Sequence, residues 1–163
     1  MIRHARSADR PAIEAVLAAA FGRMDEAELV GRLRADEDAM FELVAEEDGA
    51  IVGHILYSRL WADRPELFAA LAPLAVRPER QASGLGSALV RASLDTAREF
   101  GCHGVLVLGD PAYYGRFGFS AETAREVIAP YRGLAAFQAL GLEDGAFARA
   151  MSVAYPDAFS GGL

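Results

Sequence analysis

Apolar positions along the chain alternate between helical and strand spacing. Ile2 to Arg6 reads as a short opening strand. Ile13, Val16, Leu17, Ala20 and Phe21 then recur on one face of a helix, with Ser7 or Asp9 as candidate caps and Pro11 tolerated in the first turn. A second helix is expected over Asp25 to Ala35, with Leu29, Val30 and Leu33 inward and its acids on a solvated face. Met40 to Ala45 and Ala50 to Leu60 read as strands around the turn Glu46-Glu47-Asp48-Gly49, where Asp-Gly signals a hairpin. A third strand runs from Leu67 to Val76, and Pro73 within it implies an edge, a bulge or a break in the ladder.

The clearest helix spans Gly84 to Phe100. Leu85, Leu89, Ala92, Thr96 and Phe100 lie near one face, and Gly101 is a natural terminator. Val105 to Leu108 is wholly apolar, as a central strand would be. Asp110-Pro111 opens a short helix through Phe117 that Gly118 ends. Phe137 to Leu142 and Ala148 to Ala154 read as two further strands separated by Glu143-Asp144-Gly145. No repeat or linker interrupts this order, so the reading is one domain over residues 1–163.

Charge and composition narrow the chemistry. A formal net charge of −7 argues against nucleic acid as a partner and favours a cationic or neutral small substrate. The sequence contains no lysine, which removes Walker-type phosphate loops and Schiff-base catalysis. It contains no asparagine, hence no N-glycosylation acceptor. A single cysteine, Cys102, excludes an internal disulfide or a multi-cysteine zinc site, and His4, His54 and His103 lack metal-ligand spacing. The first 24 residues are amphipathic, unlike a signal peptide, and no apolar run approaches the ~18 residues of a membrane span. A cytoplasmic protein without membrane contact is expected, as monomer or homodimer.

The segment from Leu74 to Ser87 joins a strand to a helix through Arg80-Gln81-Ala82-Ser83-Gly84-Leu85-Gly86. Glycines at a helix mouth leave room for a ligand, and unpaired N–H groups there suit an anion such as a pyrophosphate. Arg77 to Arg98 carries four arginines against two acids in an otherwise acidic chain. A dinucleotide fingerprint would need a third glycine where Leu89 stands. Glycines that only end a loop before a helix are the plain alternative.

Gln81-x-x-Gly84-x-Gly86, preceded by Leu74-Ala75-Val76 and Pro78, resembles the acetyl-CoA signature of the GNAT superfamily, and the YhbS-like bacterial branch is most similar. The resemblance implies an α+β fold, three layers in α/β/α order, with a mixed, largely antiparallel sheet splayed at the acetyl-CoA site near Pro73. It implies that Gln81, Ala82, Ser83, Gly84, Leu85, Gly86 and Ser87 hold the pyrophosphate, and that Leu74, Ala75 and Val76 pair with the pantetheine arm. Acetyl-CoA would be the co-substrate and a small-molecule or peptide amine the acceptor. A non-catalytic acyl-CoA-binding module is the alternative.

Asp110-Pro111-Ala112-Tyr113-Tyr114-Gly115-Arg116-Phe117-Gly118-Phe119 reads as a short helix turning into a strand, with Phe117 and Phe119 as core anchors. A tyrosine here serves packing or catalysis. Tyr114-x-Arg116-Phe117-Gly118-Phe119 is similar to the GNAT segment whose tyrosine protonates the departing thiolate, which points to Tyr114, with Tyr113 as the fallback. The general base stays unassigned. Many relatives place a glutamate on the strand before the loop, but Phe68 to Val76 holds no acid, leaving His54, Asp110 or water. The acidic helix around Asp25 to Asp38 either borders a groove for a cationic amine or is only a wet face.

Overall fold

The computed structural model describes residues 1–161. Strand β1 (Ile2–His4) leads into α1 (Arg10–Phe21) and α2 (Asp25–Ala35), then β2 (Ala39–Glu47), β3 (Ala50–Ala62) and β4 (Leu67–Val76). Helix α3 (Leu85–Glu99), β5 (Cys102–Leu108) and the one-turn α4 (Pro111–Tyr114) follow. Three short strands come next: β6 (Val127–Ile128), β7 (Phe137–Gly141) and β8 (Met151–Ala154).

The strands lie in the order β1-β2-β3-β4-β5-β7, all neighbours antiparallel except β4 and β5. Strand β8 takes the far end of β3 at Trp61 and Ala62 and pairs in parallel with β6. Period-two alternation divides the sheet's faces. Val44, Leu56 and Ala75 meet Ile13, Leu17, Leu29 and Leu33 of α1 and α2. Leu43, Ile55 and Val76 meet Leu89, Val90 and Leu94 of α3 on the opposite face. The result is the expected α+β arrangement of three layers around a mixed, mostly antiparallel sheet.

Several local readings shift. Asp9 does not cap α1; its carboxylate takes Arg3 and the Arg6 N–H. The buried stripe of α3 runs through Leu89, Val90, Ser93, Leu94 and Ala97, while Phe100 beyond its end is half exposed. The hairpin closes on Asp48 and Gly49, both at positive φ (51° and 79°), the backbone that Asp-Gly favours.

Strand β4 carries the feature that makes the site. Ile55 pairs with Leu74 and Tyr57 with Leu71, so Leu56 faces both Ala72 and Pro73 across a bulge. Proline fits there because it has no N–H to give to a ladder. The parallel pairing of β4 with β5 stops at Leu71. Beyond it the two strands part, and residues 72–76 keep β3 on one side and an open cleft on the other.

On the α1–α2 face, Glu42 of β2 binds Arg34 through both carboxylate oxygens (2.9 and 2.8 Å) and accepts from His54 Nε2 at 2.8 Å. Burial pushes the Glu42 carboxyl up, but its bonds to His54 and Arg34 outweigh this and hold it at about 2. Burial lowers the His54 pKa, so the ring is neutral, donating from Nε2 and leaving Nδ1 unpartnered. A depressed carboxylate pKa adds stability above its unfolded value, and that stability drains away as pH falls from near 4.5 toward 2. Glu42→Gln is therefore expected to cost about 2–3 kcal/mol at neutral pH, somewhat under the ~3–5 of a fully buried broken pair. The deficit should narrow at pH ~4; urea denaturation of both proteins at the two pH values checks it.

Candidate active site

The cleft opened by the parting strands has two chambers. The first, about 380 Å³, is lined by Leu74, Val76, Gln81, Ala82, Gly84, Gly86, Ser87, Tyr113 and Arg116. Arg77 N–H bonds the Val52 carbonyl at 2.9 Å, and the antiparallel alternation then pairs Ala75 with His54. The backbone groups of Leu74 and Val76 consequently point into the cleft. Gln81 Nε2 already reaches one of them, the Val76 carbonyl, at 3.0 Å.

The loop that follows is pinned from outside. Arg80 forms a two-bond pair with Glu47 (2.8 and 2.7 Å), and Arg77 Nε bonds the Ile51 carbonyl at 3.2 Å. Ala82 (φ 59°) and Gly84 (φ 87°) take left-handed backbone, curling the loop into the mouth of α3. For alanine this costs about 1–2 kcal/mol. The first α3 bond runs from Ala88 N–H to the Gly84 carbonyl, so the N–H groups of Leu85, Gly86 and Ser87 have no acceptor within the helix. With the positive end of the α3 dipole behind them, they make an anion cradle.

Arg116 is the charged side chain at this chamber's wall. Its guanidinium lies over the Tyr113 ring at 4.6 Å and donates to Ser87 Oγ at 2.9 Å, with no carboxylate partner among the described residues. Its charge is thus held in place yet unneutralised.

The second chamber, about 370 Å³, lies on the other side of the parted strands. Its inner wall is Ala70 to Leu74 of β4, Leu106 to Leu108 of β5 with Gly109 just beyond, and Tyr114. Phe21, Arg23, Glu26 and Leu29 close it from α1, α2 and the turn between them, and Tyr131, Tyr155 and Phe159 from the C-terminal part of the chain. Leu74 lines both chambers, so they meet at the bulged end of β4.

The adjacent tyrosines of α4 face different chambers, as neighbours about 100° apart on a helix must. Tyr113 borders the first, its hydroxyl 3.0 Å from where a Gly86 Cβ would stand. Tyr114 borders the second, its ring so close over Gly109 that a Cβ there would sit 2.5 Å away. Gln138, itself buried, donates to the Gly109 carbonyl at 3.1 Å and holds that glycine under the ring. Burial, and to a lesser degree Tyr113, push the Tyr114 pKa well above the ordinary phenol value, so the hydroxyl keeps its proton.

Residues 10–119 match the acetyltransferase (GNAT) family. The chain belongs to that family. It is 38% identical over 141 residues to the uncharacterized N-acetyltransferase YhbS of Escherichia coli (strain K12), covering 85% of this chain and 84% of the relative. The solved structure of Escherichia coli YhbS in complex with CoA superposes with a TM-score of 0.93 at 34% identity, over 100% of this chain and 93% of that one. A GNAT acetyltransferase from Brucella melitensis in complex with acetyl-CoA gives 0.82 at 35% identity, over 98% and 97%. The chain is thus an acyltransferase by family.

Within this GNAT frame, Leu74, Val76, Gln81, Ala82, Gly84, Gly86 and Ser87 come together at the first chamber. Three expected residues do not line it. Ala75 turns its side chain to the α1–α2 core and its backbone to β3, as period two requires. Ser83 is exposed and donates to the Arg80 carbonyl, while Leu85 packs into the α3-side core.

Both side chains weighed as general base stand apart from the chambers. His54 is wholly buried against Glu42, and Asp110 is exposed, its Oδ1 capping α4 by accepting from Ala112 N–H at 3.0 Å. Cys102 is buried at the start of β5, donates to the Gly104 carbonyl at 3.1 Å, and has its thiol pushed up to about 11 by burial. That is the environment of an inert cysteine.

Reasoning from the sequence did not single out Arg116 or Glu26, which line the two chambers, although it weighed the acidic helix that carries Glu26 as the border of a groove. Glu26 had a legible signal: with Leu29, Val30 and Leu33 it completes the i, i+3, i+4, i+7 stripe of α2, where an acid must have a partner.

Proposed function

We propose that this GNAT protein moves the acetyl group of acetyl-CoA directly to a small amine, with residues 1–163 acting as one catalytic unit. The reading rests on the meeting of the two chambers at Leu74. One chamber offers an anion cradle and Arg116 to the CoA pyrophosphate; the other is a separate, largely apolar room for the acceptor. The pantetheine arm lies along the open edge of β4, hydrogen-bonded to Leu74 and Val76, and brings the thioester to the junction beside Tyr114.

The neutral amine attacks the carbonyl carbon, forming the C–N bond. As the tetrahedral intermediate collapses, the C–S bond breaks and Tyr114 gives its proton to the sulfur, releasing CoA as the thiol. The nitrogen's surplus proton leaves through water and restores the phenol. Neither His54 nor Asp110 is needed.

Calorimetric titration with acetyl-CoA, CoA and a nicotinamide dinucleotide tests the assignment. Both CoA ligands should bind and the dinucleotide should not. Arg116→Ala should weaken acetyl-CoA by roughly 10- to 100-fold, the worth of a charge-assisted hydrogen bond at about 1.5–3 kcal/mol. Absence of CoA binding to the wild-type protein would remove the proposal.

A further inference from the structure

The second chamber carries information about the acceptor, given acetyl transfer as proposed above. Besides Tyr114, four aromatic side chains (Phe21, Tyr131, Tyr155 and Phe159) line it, and Tyr155 stacks edge-on against both Tyr131 (5.3 Å) and Phe159 (5.5 Å). Two charged side chains, Arg23 and Glu26, share its wall and pair with each other through two hydrogen bonds.

That pair is lopsided. The Glu26 side chain is 8% exposed, whereas Arg23 is 54% exposed and has Asp25 3.9 Å from its other terminal nitrogen. Arg23, Asp25 and Glu26 together sum to −1. Both charges line the chamber, and the carboxylate is the one enclosed by protein. Arg23 takes one lone pair on each Glu26 oxygen, leaving each oxygen another to offer.

We infer that the acceptor is a primary monoamine on an aromatic or branched apolar frame, without a carboxylate, and that Glu26 is the residue binding its ammonium on entry; that nitrogen gives one proton to water before it attacks the thioester as the neutral amine. The aromatic walls bury the hydrocarbon frame and attract the cation through their faces. A carboxylate on the acceptor would add a further negative charge beside a cluster already at −1. A polyamine would bury a further ammonium where, among the described residues, no second carboxylate lines the chamber. A chamber of about 370 Å³ is of small-molecule size.

Phenethylamine, spermidine and phenylalanine distinguish these classes, each assayed for acetyl-CoA turnover and titrated into the CoA-saturated protein. Phenethylamine should bind and should exceed both others in kcat/KM by roughly tenfold or more, the discrimination expected of one buried charge or carbon frame. Glu26→Gln should raise its KM roughly 10- to 100-fold with kcat and acetyl-CoA affinity near wild type. Arg23→Gln frees the carboxylate, so KM should stay level or fall. Equal rises in KM for both variants would reduce the pair to a structural brace and overturn the assignment. Preference for spermidine or phenylalanine would overturn the acceptor class while leaving acetyl transfer standing. Turnover of no amine, with acetyl-CoA still bound, would take down both.

Discussion

Tyr114→Phe is expected to lower kcat about 10²- to 10⁴-fold, the usual range for losing a general acid, with acetyl-CoA affinity unchanged. Phenylalanine keeps the ring that covers Gly109 and meets Phe119 at 5.8 Å, so the variant should fold and melt like wild type. What it loses is the proton. Because burial raises the Tyr114 pKa, the phenol stays protonated up to and beyond its ordinary value near 10. The wild-type rate should then climb with pH as the amine deprotonates, with no descending limb from this tyrosine below about pH 10. Tyr113→Phe is the matched control, since its hydroxyl faces Gly86 in the other chamber. Steady-state thiol release across pH measures all three proteins. An undiminished rate in Tyr114→Phe would reject the role.

The second large effect concerns the cradle. Gly86 is helical, with a backbone that any residue adopts, and its missing side chain leaves the floor of the first chamber bare. A Cβ added there stands 3.0 Å from the Tyr113 hydroxyl and 3.6 Å from Val76 Cγ2, so the helix survives and the space does not. Gly86→Val should weaken acetyl-CoA roughly 30- to 150-fold, as two N–H contacts at ~1–1.5 kcal/mol each are displaced. Valine replaces the poorest non-proline helix former, which offsets the cost of displacing the Tyr113 hydroxyl, so the melting temperature should change little. Unchanged affinity measured by calorimetry would move the phosphates elsewhere.

These two sites were also the most legible parts of the chain. Strand, loop and helix from Leu67 to Glu99 announce themselves through local chemistry: an apolar run, a proline out of place, and a glycine where the backbone turns left-handed. The segment after Phe119 was harder. Strand β6 has two residues and β8 pairs with the far end of β3, about ninety positions earlier. Such short pieces owe their structure to partners far away rather than to their own periodicity. The second chamber draws Tyr131, Tyr155 and Phe159 from that segment, so its aromatic character was hidden. The inward face of α3 was misjudged for a related reason: Phe100 follows the last turn and leans on Phe41 (5.3 Å between rings) without being enclosed. On α2, the acids were weighed together as a groove border or a wet face, though the place of Glu26 on the apolar stripe set it apart from the others.

The burial of Cys102 has a practical side. At pH 8 a thiol with a pKa of about 11 is ionised to roughly one part in a thousand, and this one is enclosed as well. With no lysine in the sequence, the protein also lacks the side-chain amine that most readily takes up a stray acyl group. A disulfide reporter added to the reaction therefore sees one sulfur appear, that of the product. The enzyme stays dark, and turnover can be followed continuously without masking it.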